Sequence, residues 1–311
     1  MRCRHKLGLL WVLLLTGCDA TDSLQSGEAI SLAPGRGSFL YPYPFFEQPL
    51  TVWYYLPDNF PPDGRVVIVM HGVKRNAHTY RDQWISHARR FHFLVLAPRF
   101  PAQQFSSRGY HQGNMQDAQG RFQPERLWTF TVIDSLFQYV RRLLQLTTNR
   151  FALYGHSAGG QFVHRYALFR SSTQADLLIA ANTGWYTLPR WDITYPYGLK
   201  GSPLTRVDEV ARAFQRRLIV LLGEKDTDPQ DPYLNNAPEA RAQGPHRLAR
   251  GLYFYQNARQ QADSLGLPFC WGLQTVPEVG HSNRGMAGPA AQLIAFPPDS
   301  IMRCGKSASS S

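Results

Sequence analysis

The chain has 311 residues, 33 lysines and arginines against 22 aspartates and glutamates, and a formal net charge of +11. Its length suits one α/β domain with a sizeable core better than two independent domains. The basic surplus is scattered in pairs such as Arg89-Arg90, Arg141-Arg142 and Arg216-Arg217, with no aromatic-rich basic stripe, which argues against a nucleic-acid surface.

Taken in chain order, Arg2, Arg4 and Lys6 precede the apolar run Leu7–Leu15, which is too short for a stable bilayer-spanning helix and reads as a secretory signal. It ends in Leu15-Thr16-Gly17-Cys18, which resembles the bacterial lipobox. The resemblance implies cleavage after residue 17, lipidation of Cys18 and a tether over 18–35. Two or three acyl chains on one residue anchor a protein stably, so the expected location is the bacterial cell envelope, facing the periplasm or the exterior. Losing the three signal cations leaves 30 basic residues against 22 acidic ones, about +8. Of the four cysteines, Cys3 leaves with the signal and Cys18 carries lipid, so Cys270 and Cys304 remain as a possible disulfide pair. Such a bridge would add roughly 3–4 kcal/mol in the chain-entropy model.

From 36 to 304 the pattern is that of a single domain, followed by a Ser-rich tail over 305–311 that is expected to be disordered. Strands are predicted at Thr51–Leu56, Val66–Met70, Phe93–Ala97, Phe151–Tyr154, Leu177–Ala181, Leu218–Leu222 and Cys270–Val276. The later runs are nearly continuous in apolar residues, as strands covered on both faces of a parallel sheet must be. The first two are expected to pair antiparallel, because Asn59–Gly64 is too short for a helical crossover. Between 125 and 146, Ile133, Leu136, Phe137, Val140, Leu143 and Leu144 recur at helical spacing. A second helix is predicted over His246–Leu265, stopped by Gly266 and Pro268. The alternation implies a three-layer α/β/α sandwich with a mainly parallel sheet.

Ser157 stands in Gly155-His156-Ser157-Ala158-Gly159, directly after the strand Phe151–Tyr154. A serine at the tip of a sharp strand-to-helix turn is presented to substrate as a nucleophile. It needs an imidazole to take its proton, a carboxylate to orient that imidazole, and amides aimed at the oxyanion. His281, in Gly280-His281-Ser282 beyond the last strand, is the base candidate. Asp226, in Gly223-Glu224-Lys225-Asp226, is the acid candidate, with Asp228 its main competitor and Glu224 and Asp231 in the same loop. The order Ser157, Asp226, His281 is that of one class of triad. The oxyanion amides are assigned to Ala158, at the start of a helix, and to Val73, in the tight exit His71-Gly72-Val73. Arg99, Tyr110, Asn114, Trp185 and Tyr186 follow strands at the same end of the sheet and are candidates for a substrate pocket. The Pro-, Tyr- and Asn-rich stretches 190–203 and 229–245 are expected as loops over the site. His78, His87, His92 and His164 have no zinc-ligand spacing, and neither a metal nor an organic cofactor is expected.

Together, His71-Gly72, the serine turn Gly155–Gly159, the Gly-x-x-Asp loop Gly223–Asp226 and Gly280-His281 resemble the α/β-hydrolase superfamily over residues 45–300. Arg75-Asn76-Ala77 with Tyr80 and Trp84 is loosely similar to secreted polyester depolymerase and feruloyl esterase relatives. His71-Gly72-Val73-Lys74 departs from the glycine-rich HGGG loop of many esterases. The resemblance implies a serine hydrolase working through an acyl-enzyme on a small or polymeric carboxylic ester or a related acyl bond. The alternatives are an acyltransferase on the same triad and a catalytically silent envelope-binding lipoprotein.

Overall fold

The computed structural model describes residues 31–302. The signal segment, Cys18, most of the tether, Cys304 and the tail lie outside them. In chain order the strands are β1 (Gly35–Tyr41), β2 (Leu50–Leu56), β3 (Val66–Met70), β4 (Leu94–Pro98), β5 (Phe151–His156), β6 (Ala175–Ala181), β7 (Leu218–Gly223) and β8 (Gly272–Val276). The helices are α1 (Ala77–Phe91), α2 (Ser107–His111), α3 (Thr129–Leu143), α4 (Ala158–Phe169), α5 (Val207–Phe214), α6 (Pro238–Arg241), α7 (Arg247–Ser264), α8 (Asn283–Ala295) and α9 (Asp299–Met302).

The strands form one sheet in the order β1-β2-β4-β3-β5-β6-β7-β8, antiparallel at the β1-β2-β4 edge and parallel from β4 to β8. Every residue of β3 is buried, and the pleat divides them between two cores. Val66, Ile68 and Met70 pack with α3, α4, α5 and α7, whereas Val67 and Val69 pack with α1 and α8. A strand covered on both faces has no reason to alternate with polar residues, which is why it reads as a continuous apolar run.

Two expectations change. β2 is antiparallel, but to β1 and β4 rather than to β3, so the chain passes over β4 in entering β3. The strand β1 was not predicted. Its first residues are glycine-rich and partly exposed, and only Phe39 and Tyr41 are buried, where both rings meet Tyr139 of α3. Among the described residues no helix is long and apolar enough to cross a membrane.

The consequence for function is directional. Because β3, β5, β6, β7 and β8 are parallel, the loops after Met70, His156, Ala181, Gly223 and Val276 all leave from one end of the sheet, where the crevice of an open α/β sheet lies.

Candidate active site

Ser157 joins β5 to α4 with φ 59° and ψ −114°. A non-glycine residue in this region stores about 1–3 kcal/mol of strain and persists only where its surroundings enforce it. Here its N–H donates to Ala181 O at 2.9 Å, and its carbonyl accepts from Gln161 N at 3.0 Å. The flanking glycines follow from the same crowding. A Cβ on Gly155 would sit 2.2 Å from Gly159 O, and one on Gly159 would sit 2.2 Å from Met70 O. Main-chain oxygen cannot step aside, so the elbow admits no side chain at either position.

Ser157 Oγ lies 3.0 Å from His281 Nε2, and His281 Nδ1 lies 2.7 Å from Asp226 Oδ2. Asp226 is 3% exposed. A side chain from a third strand end braces the acid and histidine loops: Asn182 Nδ2 donates to Gly280 O at 2.9 Å, and Asn182 Oδ1 accepts from Gly223 N at 2.7 Å. Lys225 N also donates to Val279 O. The rival carboxylates are engaged elsewhere. Glu224 accepts from Thr275 Oγ1, Asp228 accepts from Gln230 N in an exposed turn, and Asp231 pairs with Arg247 at 3.0 Å. Of the four, Asp226 is the one within hydrogen-bond reach of His281.

His156, beside the serine, packs its ring 4.7 Å from that of His281 and places Nδ1 3.1 Å from the Tyr80 hydroxyl. Burial, with the charges of His281 and Arg247, pushes its pKa well below the ordinary value, so a neutral ring packs against His281.

The His71-Gly72 exit is held from three sides. Phe100 N donates to His71 Nε2 at 3.1 Å, which leaves the ring proton on Nδ1, 2.9 Å from Gly72 O, and the Tyr110 hydroxyl donates to His71 O at 2.7 Å. Burial lowers the His71 pKa to about 3, in keeping with that neutral tautomer. An ideal Cβ on Gly72 would lie 3.9 Å from Ser157 Cβ, so this main chain passes beside the serine. Val73 follows it into the same cavity. Ala158 opens the 12-residue helix α4, whose first amides lack intrahelical acceptors and face negative charge favourably.

Ser157 and His281 open into a cavity of about 410 Å³ whose wall includes Lys74, Tyr80, Gln83, Asp231, Tyr233 and Arg284. None of the five predicted pocket residues lines it. Arg99 is exposed after β4, where its N–H pairs with Thr51 O. Tyr110 is fully buried and stacks on His71 with ring centroids 4.6 Å apart. Asn114 donates to Leu127 O and borders a separate hollow beneath Phe45 and Phe46. Trp185 lies under the Arg165 guanidinium at 4.1 Å, and Tyr186 is buried against Phe254. Each leaves the correct end of the sheet, but its side chain turns into the core or away from the crevice. The stretch 229–245 does reach the cavity, through Asp231 and Tyr233. A larger hollow, about 620 Å³, lies by the opposite ends of β5 and β6 and contains neither Ser157 nor His281. Among the described residues no group of three or more His, Cys, Asp or Glu side chains could hold a metal ion.

Sequence reasoning missed Arg247, which lies behind the site, as well as the cavity-wall residues Lys74, Gln83 and Arg284. Arg247 is 1% exposed, and Nη1 and Nη2 lie 3.5 Å from Asp226 Oδ1 and 3.0 Å from Asp231 Oδ1. No motif marks it; a basic first residue of a helix, against the helix dipole, is the signal that was available.

No family model matches the chain, and no curated protein matches it. Among solved structures, poly(aspartic acid) hydrolase-1 from Sphingomonas sp. KT-1 is 41% identical, with 85% of this chain and 99% of that chain covered and a TM-score of 0.82. LpqC, a poly(3-hydroxybutyrate) depolymerase from Bordetella parapertussis, is 36% identical, with 84% and 90% covered and a TM-score of 0.79. The S-formylglutathione hydrolase FrmB from Staphylococcus aureus shares the fold at 13% identity and a TM-score of 0.54, with 84% and 98% covered. With two relatives above one-third identity along most of their length, and the sheet order and strand-end loops described above, the chain belongs to the α/β-hydrolase superfamily.

Proposed function

We propose that this hydrolase cleaves a carboxylic ester or a related acyl bond through a Ser157-His281-Asp226 triad and an acyl-enzyme. The observation that carries the reading is the continuous pair of contacts, 3.0 Å from Ser157 Oγ to His281 Nε2 and 2.7 Å from His281 Nδ1 to Asp226. His281 takes the serine proton as Oγ adds to the ester carbonyl, and the imidazolium then protonates the departing alcohol. Water, deprotonated by the same imidazole, attacks the acyl-enzyme and releases the acid and free serine. Buried Asp226 holds the Nδ1–H tautomer and balances the imidazolium. The amides of Ala158 and Val73 bind the oxyanion, where one lost donor typically costs about 10²–10³ in kcat.

The polyester named for the 36% identical relative supports an ester, the poly(aspartic acid) named for the 41% identical relative supports a related acyl bond, and an open cavity with exposed Tyr233 at its edge suits a polymer segment. A fluorophosphonate probe tests the triad: wild-type protein is expected to label and Ser157→Ala to remain unlabelled. A panel of p-nitrophenyl esters, poly(3-hydroxybutyrate) and poly(aspartic acid) then ranks substrates, with free acid as the expected product from the esters. An unlabelled wild type would point to a silent module. A product that forms only with an added alcohol or amine acceptor would point to a transferase.

We further propose, from the lipobox-like Leu15-Thr16-Gly17-Cys18 and the cysteine count, that the mature chain sits on the cell envelope, acylated at Cys18, with Cys270 and Cys304 bridged. Cys270 is buried just before β8, where a bridge would clip the C-terminal segment to the sheet edge. Intact mass of detergent-extracted protein, before and after reduction and alkylation, checks both: diacylglyceryl-sized mass on a chain starting at residue 18, and alkylation of the cysteine pair only after reduction. A chain that keeps residues 1–17 after export would overturn the anchor.

A further inference from the structure

Arg247 occupies a position that helix stability disfavours. It is the first residue of α7, an 18-residue helix capped by His246, whose Nδ1 accepts from Ala249 N. A cation there faces the positive end of the helix dipole and is almost wholly desolvated, an arrangement that needs opposite charge close by. Two carboxylates supply it. Asp226 divides its oxygens, Oδ2 toward His281 and Oδ1 toward Arg247, while Asp231 takes the other end of the guanidinium. Leu248 N, the next amide in the helix, donates to Asp226 O at 3.1 Å. The start of α7 therefore grips both the acid of the triad and a carboxylate that lines the cavity.

We propose that Arg247 is a positioning residue: its buried guanidinium ties Asp226 to Asp231 and so sets both the direction and the charge of the Asp226–His281 pair. The inference rests on Ser157, His281 and Asp226 acting as a triad. Without the cation, two acids would confront one imidazole, and the imidazolium would be over-stabilised at the expense of the neutral base. With it, one net negative charge remains to balance the imidazolium that forms during the reaction.

Other groups face this unit. His156 packs against His281 and meets the Tyr80 hydroxyl, and both His156 and Tyr80 are kept neutral by burial. Tyr186 faces Asp226 from the loop after β6 and is also kept neutral by burial. Arg250, one turn along α7, donates to Gly244 O and Gly184 O. Lys74 and Arg284 stand exposed on the cavity wall, and Lys225 pairs with Glu278 at the surface. Arg247 is the cation among these that bridges the triad acid to a second carboxylate.

The sign of the effect separates this role from simple support. The test is the rate of fluorophosphonate labelling of the full chain between about pH 5 and 9, the range in which an imidazole titrates. Arg247→Met is expected to slow labelling roughly 10- to 10²-fold, as misplaced catalytic groups do. It should also move the acidic limb to higher pH by about one unit, because a charge opposing the imidazolium is gone. Asp231→Asn should move the same limb to lower pH, because a charge favouring the imidazolium is gone. Arg247→Lys should keep the limb near its wild-type position while remaining slower, since one ammonium cannot span both carboxylates. If Arg247→Met does not fold, the Asp231→Asn and Arg247→Lys profiles decide. A limb that stays fixed in Arg247→Met and Asp231→Asn, or that moves the same way in both, overturns the proposal even if rates fall. A wild type that does not label at all refutes the triad instead, so the two failures are distinguishable.

Discussion

Ser157→Ala and His281→Ala are each expected to lower kcat for ester hydrolysis by about 10⁶-fold, and the double variant to lose no more than either single one. The 3.0 Å contact between Oγ and Nε2 makes the two side chains one chemical device. Without the imidazole the hydroxyl stays protonated, and without the hydroxyl the imidazole has nothing to activate on the acyl path. Residual rates of roughly 10³-fold over water should survive in all three variants, because the oxyanion amides and the cavity remain. Steady-state kinetics on a p-nitrophenyl ester checks this, with circular dichroism to establish folding. Losses that multiply in the double variant would show two independent contributions and contradict the mechanism.

Asp226→Asn is expected to cost about 10⁴-fold in kcat, while Asp228→Asn leaves the rate unchanged. An amide at 226 can offer an N–H toward Nδ1, favouring the tautomer with its proton on Nε2, where it blocks acceptance from Ser157. It also removes a buried negative charge that the imidazolium needs and leaves Arg247 with Asp231 as its remaining ion-pair partner. Asp228 sits in an exposed turn and accepts from Gln230 N, an interaction that asparagine can also make. Comparing kcat for the two single variants at one pH is sufficient. Equal losses, or a loss only in Asp228→Asn, would remove Asp226 from the triad.

These contrasts also mark how much was legible before folding. The serine turn could be read because its constraints are local: a buried strand, a reversal that excludes Cβ atoms, and a helix start lie within ten residues. His281 could be read because it follows the last strand after a glycine. The acid could be narrowed only to a loop holding Glu224, Asp226, Asp228 and Asp231. Loop spacing carries no direction, and what sets Asp226 beside His281 is Asn182, some 40 residues upstream, which fixes Gly223 and Gly280 together. The five predicted pocket residues stay off the wall of the Ser157 cavity for the same reason. Tyr110 and Tyr186 leave the right end of the sheet, but their rings fill core next to His71 and Phe254.

The strand edge tells a parallel story. β1 was missed because Gly35 and Gly37 dilute its pattern, and it becomes a strand by pairing with β2 and by placing Phe39 and Tyr41 on α3. Arg247 carries no motif because its two partners lie 21 and 16 residues earlier in the chain; only its place at a helix start, against the dipole, could have marked it.

From residue order alone came the layered α/β architecture, the elbow with its serine and the histidine beyond the last strand, since each depends on periodicity or turn sterics between near neighbours. The strand neighbours of β2, the contact of Asp226 with His281, the walls of the cavity and the Arg247 bridge were decided only in three dimensions. Those features depend on where a side chain points once distant segments pack against it, and that direction is set by the partners it meets.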